Sequence, residues 1–220
     1  MSLKIISLVP SQTELLYHLG LENEVIGITK FCIHPNNWFT TKTRIGGTKN
    51  IDIEKIQLLK PTLVIANKEE NVKEQVEALQ AFTKVIVTDV NTLQDATEMI
   101  ETIGNLTNTT IQAQSITKKI NTEFINLSNT LIASETIKVA YLIWKNPYMT
   151  IGGDTFIHNM ISTCNFTNVF AHKRRYPITT INEIEQLQPH FVFLSSEPYP
   201  FKEKDIIELQ LQLPHSKIII

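Results

Sequence analysis

Helical spacing gives way to strand spacing in the same order at two places in this chain. Ile53, Ile56 and Leu59 recur every three residues, Pro61 follows, and Leu63-Val-Ile-Ala66 is an unbroken apolar run. Ile181, Ile184, Leu187, Pro189 and Phe191-Val-Phe-Leu194 repeat the order 128 positions later (181 − 53). Six of the seventeen positions from Ile53 to Glu69 are identical in the copy from Ile181 to Glu197, which marks a repeat. Proline cannot continue a helix, and each apolar run is too short for another one, so each copy predicts helix, turn and buried strand. Both strands leave into a polar loop bearing a glutamate, Glu69 or Glu197. In open α/β sheets that strand end is where ligands sit, so the repeat predicts two similar lobes with a ligand cleft between them.

The remaining pattern fills in both lobes. Lys4–Val9 predicts a strand, Ser11-Gln-Thr-Glu14 a capping box opening a helix that Gly20 closes, and Glu24–Thr29 a second strand. Residues 30–50 are polar and predict a long loop, of a length that is usually functional or disordered, carrying Cys32, His34, Trp38 and Gly46-Gly47. A helix near 71–82, a strand at 84–88 and a helix near 92–103 follow the first repeat. Then Ala113, Ile116, Ile120, Phe124, Leu127 and Leu131 recur at spacings of three and four, with no glycine or proline between Asn105 and Ile132. That predicts one long amphipathic helix; about 23 residues give roughly 35 Å, enough to run along both lobes and to permit only small hinge movement. Beyond it, a strand at 137–144, a helix at 154–164, the second repeat, a helix at 201–211 and a strand at 217–220 restart the α/β alternation. A doubly wound lobe normally follows such a last strand with a covering helix. The expected fold class is therefore α/β: two Rossmann-like lobes, residues 1–104 and 134–220, joined by a backbone helix at 105–133, with the second lobe truncated at its C-terminus.

Composition narrows the function. The net charge is −2, and the only positive cluster, Lys173-Arg174-Arg175, is short, so neither nucleic acid nor an anionic membrane is an expected partner. No apolar run approaches the roughly 20 residues of a membrane span. The N-terminus has no basic, apolar and cleavage regions of a secretory leader. The chain is expected to be cytoplasmic if this is its native start, and periplasmic or membrane-anchored outside the cytoplasm if a leader was removed. Cys32 and Cys164 have neither metal-site nor redox spacing.

Candidate chemistry gathers at the predicted strand ends: Lys30–His34, Asn67–Glu70, Trp144–Tyr148 and Glu197–Phe201. Aromatic faces with a few polar groups suit a large flat organic ligand. Phe31, Trp144 and Tyr148 are expected to pack on it, Tyr199 to join them, and Glu69 and Glu197 to stand at its rim as repeat-related partners. Cys32 and His34 alternate along a segment expected to be extended and would offer a thiolate and an imidazole to a metal or to a chelate's open axial position, although two donors do not make a structural metal site. Gly46-Gly-Thr-Lys49 lacks the upstream glycine of a phosphate loop. Gly152-Gly-Asp154 precedes a helix that Asp154 is expected to cap. No nucleophile elbow or zincin helix is present, so no catalytic residue is assigned.

Ser7-Leu-Val-Pro-Ser-Gln-Thr-Glu-Leu-Leu16, Val25-Ile-Gly-Ile-Thr-Lys-Phe31, Gly46-Gly-Thr48, Leu58-Leu-Lys-Pro-Thr-Leu-Val-Ile65, Gly153-Asp-Thr-Phe-Ile157, Asn168-Val-Phe170 and Tyr176-Pro177 stand in an informative order. Together they resemble the solute-binding proteins of ABC importers for cobalamin, haem and ferric siderophores, most of all the cobalamin-binding branch. The resemblance implies a class III periplasmic-binding-protein fold and no intrinsic cofactor. It also implies a monomer that takes a cobalamin, haem or ferric siderophore between its lobes and docks on the membrane subunits of an importer. Aromatic residues of both lobes would sandwich the ligand; this chain keeps Phe31 but offers Thr48 and Asn67 as ligand contacts where the resemblance implies tryptophans, which points to a smaller or more polar chelate. The resemblance also implies one exposed glutamate at the same helix start in each lobe. Glu54 matches the first; Asn182 occupies the second, with Glu183 beside it. Two alternatives share the same two-lobed cleft: a cytoplasmic corrinoid or metal-chelate sensor, and a cofactor-dependent enzyme.

Overall fold

The computed structural model describes residues 2–131 and 136–220. The chain divides into two compact units, one of residues up to Val90 with Asp95–Lys119, the other of Asn91–Gln94 with Ile120–Ile220.

The first unit is built on five parallel strands: β1 (Ile5–Ser7), β2 (Val25–Ile28), β3 (Thr43–Arg44), β4 (Leu63–Asn67) and β5 (Lys84–Thr88), in the order β3-β2-β1-β4-β5. Its helices are α1 (Pro10–His18), α2 (Asn36–Thr41), α3 (Ile53–Leu59), α4 (Lys73–Gln80) and α5 (Leu93–Leu106), the last beginning in residues of the other unit. Because strand side chains alternate faces, Ile6, Leu8, Val64 and Ala66 share one face and pack with Ile56 of α3 and Val76 and Leu79 of α4. α1 starts one residue earlier than its expected capping box, because Pro10 already has the backbone angle of a first helical turn and no side chain caps it. It ends on Gly20 as expected: Gly20 has φ +79°, its N–H donates to Tyr17 (2.9 Å), and the Leu21 N–H donates to Leu16 (3.1 Å), the Schellman arrangement.

The expected long loop at 30–50 holds α2 and the edge strand β3. Trp38 on α2 is fully buried, and this one anchoring side chain supports a helix too short to show a repeat in the sequence. The expected single helix at 105–133 also differs. Asn105 and Leu106 still belong to α5; Asn108, at φ +59°, turns the chain, and α6 covers Thr110–Thr130. Gly104 lies inside α5, where Ala113 of α6 approaches closely enough that a β-carbon would collide with it. Ala113 is buried and Ile116, Ile120, Phe124 and Leu127 half-buried, the stripe that the spacing predicts. α6 belongs to the first unit through Lys119 and to the second from Ile120, and positions 132 and 133 of the expected helix lie outside the described residues.

The second unit centres on β6 (Ile137–Trp144). Along one edge it pairs with β9 (Phe191–Leu194), which pairs with β10 (Lys217–Ile219), all parallel. Along the other edge, β8 (Phe166–Asn168) pairs in parallel with its first half, and β7 (Met149–Thr150) antiparallel with its end. Both short strands escape the sequence pattern because Met-Thr and Phe-Thr-Asn form no apolar run. α8 (Ile181–Leu187) and α9 (Glu203–Gln212) meet the Ala140, Leu142, Val192 and Leu194 face; α7 (Phe156–Thr163) meets the Val139 and Ile143 face. Thr155, not Asp154, caps α7, since the Thr155 hydroxyl accepts the His158 N–H while Asp154 accepts the Arg175 N–H at 2.6 Å.

The repeat is structural as well as sequential. α3 and α8 are each seven residues long. Each is capped at its start by a side chain, Asp52 or Thr180, accepting the third helical N–H. Each ends in a left-handed residue, Lys60 (φ 51°) or Gln188 (φ 48°), immediately before the proline. Ile56 and Ile184 are both fully buried, and β4 and β9 both lie inside their sheets.

Candidate functional site

All five strands of the first unit run the same way, so the loops after them collect along one edge of its sheet. From the adjacent strands β1 and β4 the chain departs in opposite directions, to β2 and β3 on one side and β5 on the other, which opens a crevice at the strand ends. Asn71 is buried beneath it and stitches three loops together. Its amide nitrogen donates to the carbonyls of Thr48 (3.0 Å) and Leu8 (3.4 Å), and its oxygen accepts the Asn67 N–H (2.8 Å).

On this base Phe31 is 52% exposed. It lies over Gly47, where a β-carbon would come within 3.2 Å of its ring, and the Lys30 ammonium is 5.1 Å from the ring centroid. Thr48 and Asn67 belong to the framework. Thr48 is 8% exposed with its carbonyl engaged by Asn71; the Asn67 oxygen accepts the N–H groups of Glu69 (2.9 Å) and Glu70 (3.2 Å), while its nitrogen donates to Thr88 (3.1 Å). Glu69 is exposed beside them. The Gly47 N–H donates to the Asn50 carbonyl of its own turn, so it is not directed at a phosphate.

Cys32 and His34 do not act as a pair. The segment turns instead of extending, with Cys32 N–H donating to Thr29 and Ile33 N–H to Phe31, so the alternation expected of a strand is lost. The Cys32 thiol is fully buried with the Thr13 and Thr29 hydroxyls 3.1 and 3.2 Å from its sulfur, whereas His34 is exposed. Among the described residues no group of three or more His, Cys, Asp or Glu side chains could hold a metal ion.

In the second unit the ends of β6 and β9 bring an aromatic wall together. Trp144 is 39% exposed and meets Tyr199 edge to face at 5.7 Å; Tyr199 meets the buried Phe201 at 4.6 Å. The Tyr199 N–H donates to the Ile143 carbonyl (3.3 Å), tying its loop to β6. Tyr148 packs against the same core cluster, and its hydroxyl is buried with no hydrogen-bond partner among the described residues. Burial, with smaller contributions from Glu208 and Asp205, pushes that phenol above its ordinary value although Lys145 pulls the other way. Glu197 is exposed on the loop that carries Tyr199.

Sequence reading assigned no role to Lys145 or Asp205. The Lys145 ammonium lies 2.8 Å from Asp205, which is 1% exposed, and 2.7 Å from the half-exposed Glu208. Hydrogen bonds to Asp205 and Glu208 hold the ammonium far above its ordinary pKa. For Asp205, burial acts to raise the pKa, but the bonds from Lys145 and the Lys202 N–H outweigh it and the net shift is downward. Ile178, 60% exposed, also joins this edge through its bridge to Met149. Gly152 and Gly153 lie in the turn between β7 and α7; their N–H groups donate to the Arg175 and Lys173 carbonyls, so they serve close backbone packing and not anion binding. At the helix starts, Glu54 is exposed at the second position of α3, and Asn182 is exposed at the matching position of α8. Glu183 is engaged by Lys173 and by the Thr179 hydroxyl (2.9 Å), Lys173 first among the contacts that hold its carboxyl below the usual range.

The family profile described as "Periplasmic binding protein" matches residues 5–210. This chain belongs to the periplasmic binding protein family. Within the family, it is 25% identical over 194 residues to a vitamin B12-binding protein of Vibrio parahaemolyticus, covering 87% of this chain and 70% of that one. It is 28% identical over 195 residues to YvrC of Bacillus subtilis, an uncharacterized ABC transporter substrate-binding lipoprotein, covering 84% and 61%. Its fold is that of the periplasmic vitamin B12 binding protein BtuF of Vibrio cholerae (TM-score 0.83, 23% identity, 99% of this chain and 87% of that one). The periplasmic heme binding protein HutB of the same organism is equally similar in fold (TM-score 0.83, 20% identity, 97% and 85%). The fold is thus the class III arrangement of family members such as BtuF and HutB, and these relatives and neighbours are binding proteins. No described helix is long and apolar enough to cross a membrane.

Proposed function

We propose that this family member captures a cobalamin-like corrinoid or another metal chelate on its strand-end loops and delivers it, outside the cytoplasm, to the membrane subunits of an ABC importer. The observation that carries this reading is the aromatic wall of Trp144, Tyr148 and Tyr199 at one sheet edge, with an exposed Phe31 at the corresponding edge of the other unit. Such surfaces hold a flat ligand by dispersion and orient it with a few polar groups at the rim, here Glu69 and Glu197. The metal belongs to the ligand, since the chelate itself supplies the coordination. Thr48 and Asn67, both tied into the loop framework, leave the first unit less aromatic, which favours a chelate smaller or more polar than cobalamin. Glu54, exposed on α3, is the docking residue on this reading, and Glu183 stabilises its own unit through Lys173.

The test is a titration of the purified protein with cyanocobalamin, cobinamide, haemin and a ferric siderophore, followed by ligand absorbance and tryptophan fluorescence. Saturable binding of one compound at micromolar or lower concentration supports the reading and names the chelate. Silence from all four, or turnover of any of them, overturns it.

A further inference from the structure

We propose that Lys145 and Asp205 are positioning residues: a buried ionic clamp that sets the aromatic wall of the second unit in its binding geometry. The consequence for ligand capture rests on the reading above; the geometric claim does not. Lys145 opens the turn between β6 and β7, and that turn has Trp144 at one end and Tyr148 at the other. Its side chain, 11% exposed, runs to α9, where Asp205 Oδ1 accepts at 2.8 Å and Glu208 Oε2 at 2.7 Å. The second oxygen of Asp205 accepts the Lys202 N–H at 2.9 Å and so fixes the start of α9. Lys202 directly follows Phe201, whose ring supports Tyr199 at 4.6 Å. One buried carboxylate therefore holds both segments that carry the wall, the Trp144–Tyr148 turn through Lys145 and the Tyr199 loop through Lys202.

An ionic group is an expensive way to fill this space, because desolvating both charges offsets much of their attraction and an apolar pair of similar size often does as well. What the charges add is direction: two hydrogen bonds of set length, from the Lys145 ammonium to Asp205 and Glu208, hold the turn in one orientation against α9. The apolar cluster around Leu142, Phe170, Leu194, Phe201 and Leu209 already supplies burial. Trp144 stands at the end of β6 with its ring edge-on to Tyr199, so its ring angle depends on where the turn is pinned.

The chain has two tryptophans, and Trp38 is fully buried in the first unit. Protein labelled with 5-fluorotryptophan therefore shows two fluorine resonances, with Trp38 as an internal reference. In Lys145→Met the Trp144 line is expected to shift or split while the Trp38 line stays, and Lys145→Arg, which keeps the cation, is expected to restore it. A general loss of folding would move both lines. Titrating the same proteins with cyanocobalamin and haemin gives the functional consequence: where wild type binds either probe, Lys145→Met is expected to bind about tenfold more weakly, the scale of one aromatic contact. If neither probe binds wild type, the ligand reading fails and the Trp144 line still decides the clamp. If Lys145→Met does not fold, Glu208→Gln, at the half-exposed end, is expected to give a smaller shift of the same line. A Trp144 line unmoved in whichever of these variants folds overturns the proposal.

Discussion

Asn71 gives the sharpest energetic prediction. Replacing it by alanine removes the donor to the Thr48 carbonyl (3.0 Å) and the acceptor of the Asn67 N–H (2.8 Å), and with them the longer 3.4 Å bond to Leu8. Asn71 is 8% exposed, so the stranded partners face protein and little water. At about 1–3 kcal/mol for each buried group left unpaired, with the long bond counted as minor, the loss is about 3 kcal/mol. For a chain of this size that lowers the thermal midpoint by about 6–12 °C. Urea unfolding at neutral pH measures it. Asn71→Asp is the control that isolates the hydrogen-bond pattern: it keeps the size and the acceptor but turns the donor into an anion facing two carbonyl oxygens. It should cost at least as much as alanine at pH 7 and recover part of the loss when the carboxyl is protonated. A loss below about 1 kcal/mol in Asn71→Ala, or an aspartate variant as stable as wild type at pH 7, would refute the stitching role.

The aromatic wall predicts that Trp144→Ala weakens binding of the chelate identified by titration by about 1–3 kcal/mol in calorimetry, and unchanged affinity would make Trp144 a packing residue only. The paired helix starts predict equal behaviour: Asp52→Ala and Thr180→Ala should each cost about 1 kcal/mol in urea unfolding, and a null result in either would show that its cap is replaced by solvent. Acid should destabilise the second unit through Glu183 and Asp205. Their folded pKa values lie below the ordinary 4.5 and 3.8, so their contribution is present above those values and lost as pH falls through the lowered ones. Lys145 behaves oppositely: its raised pKa gives stability that is complete below about 10.5 and lost only in strong alkali, so it adds nothing to the acid limb. Urea midpoints measured from neutral pH downward should fall less steeply in Glu183→Gln than in wild type, and parallel curves would remove Glu183 from the account.

The periodicity of the chain determined a good deal by itself. Apolar residues at spacings of three before a proline, and an apolar run after it, specify helix, turn and buried strand locally, and writing that order twice made the two α/β units legible. The stripe from Ala113 to Leu127 likewise identified α6, and Gly20 the end of α1. These are local signals, because burial of one face and the backbone limits of proline and glycine act over a few residues. α2, β3, β7 and β8, short elements without an apolar run or repeat, were invisible because their stability comes from tertiary neighbours such as those around Trp38. The same holds for the chemistry. That Thr48 and Asn67 brace the loops, that Cys32 is enclosed while His34 faces solvent, and that Glu183 is spent on Lys173 depend on partners up to tens of positions away. Nothing in the sequence marks Asn71, 23 residues from Thr48 and 63 from Leu8, or pairs Lys145 with Asp205, 60 positions on. A hydrogen bond needs its partner within about 3 Å, and only the folding of the sheets brings those groups together.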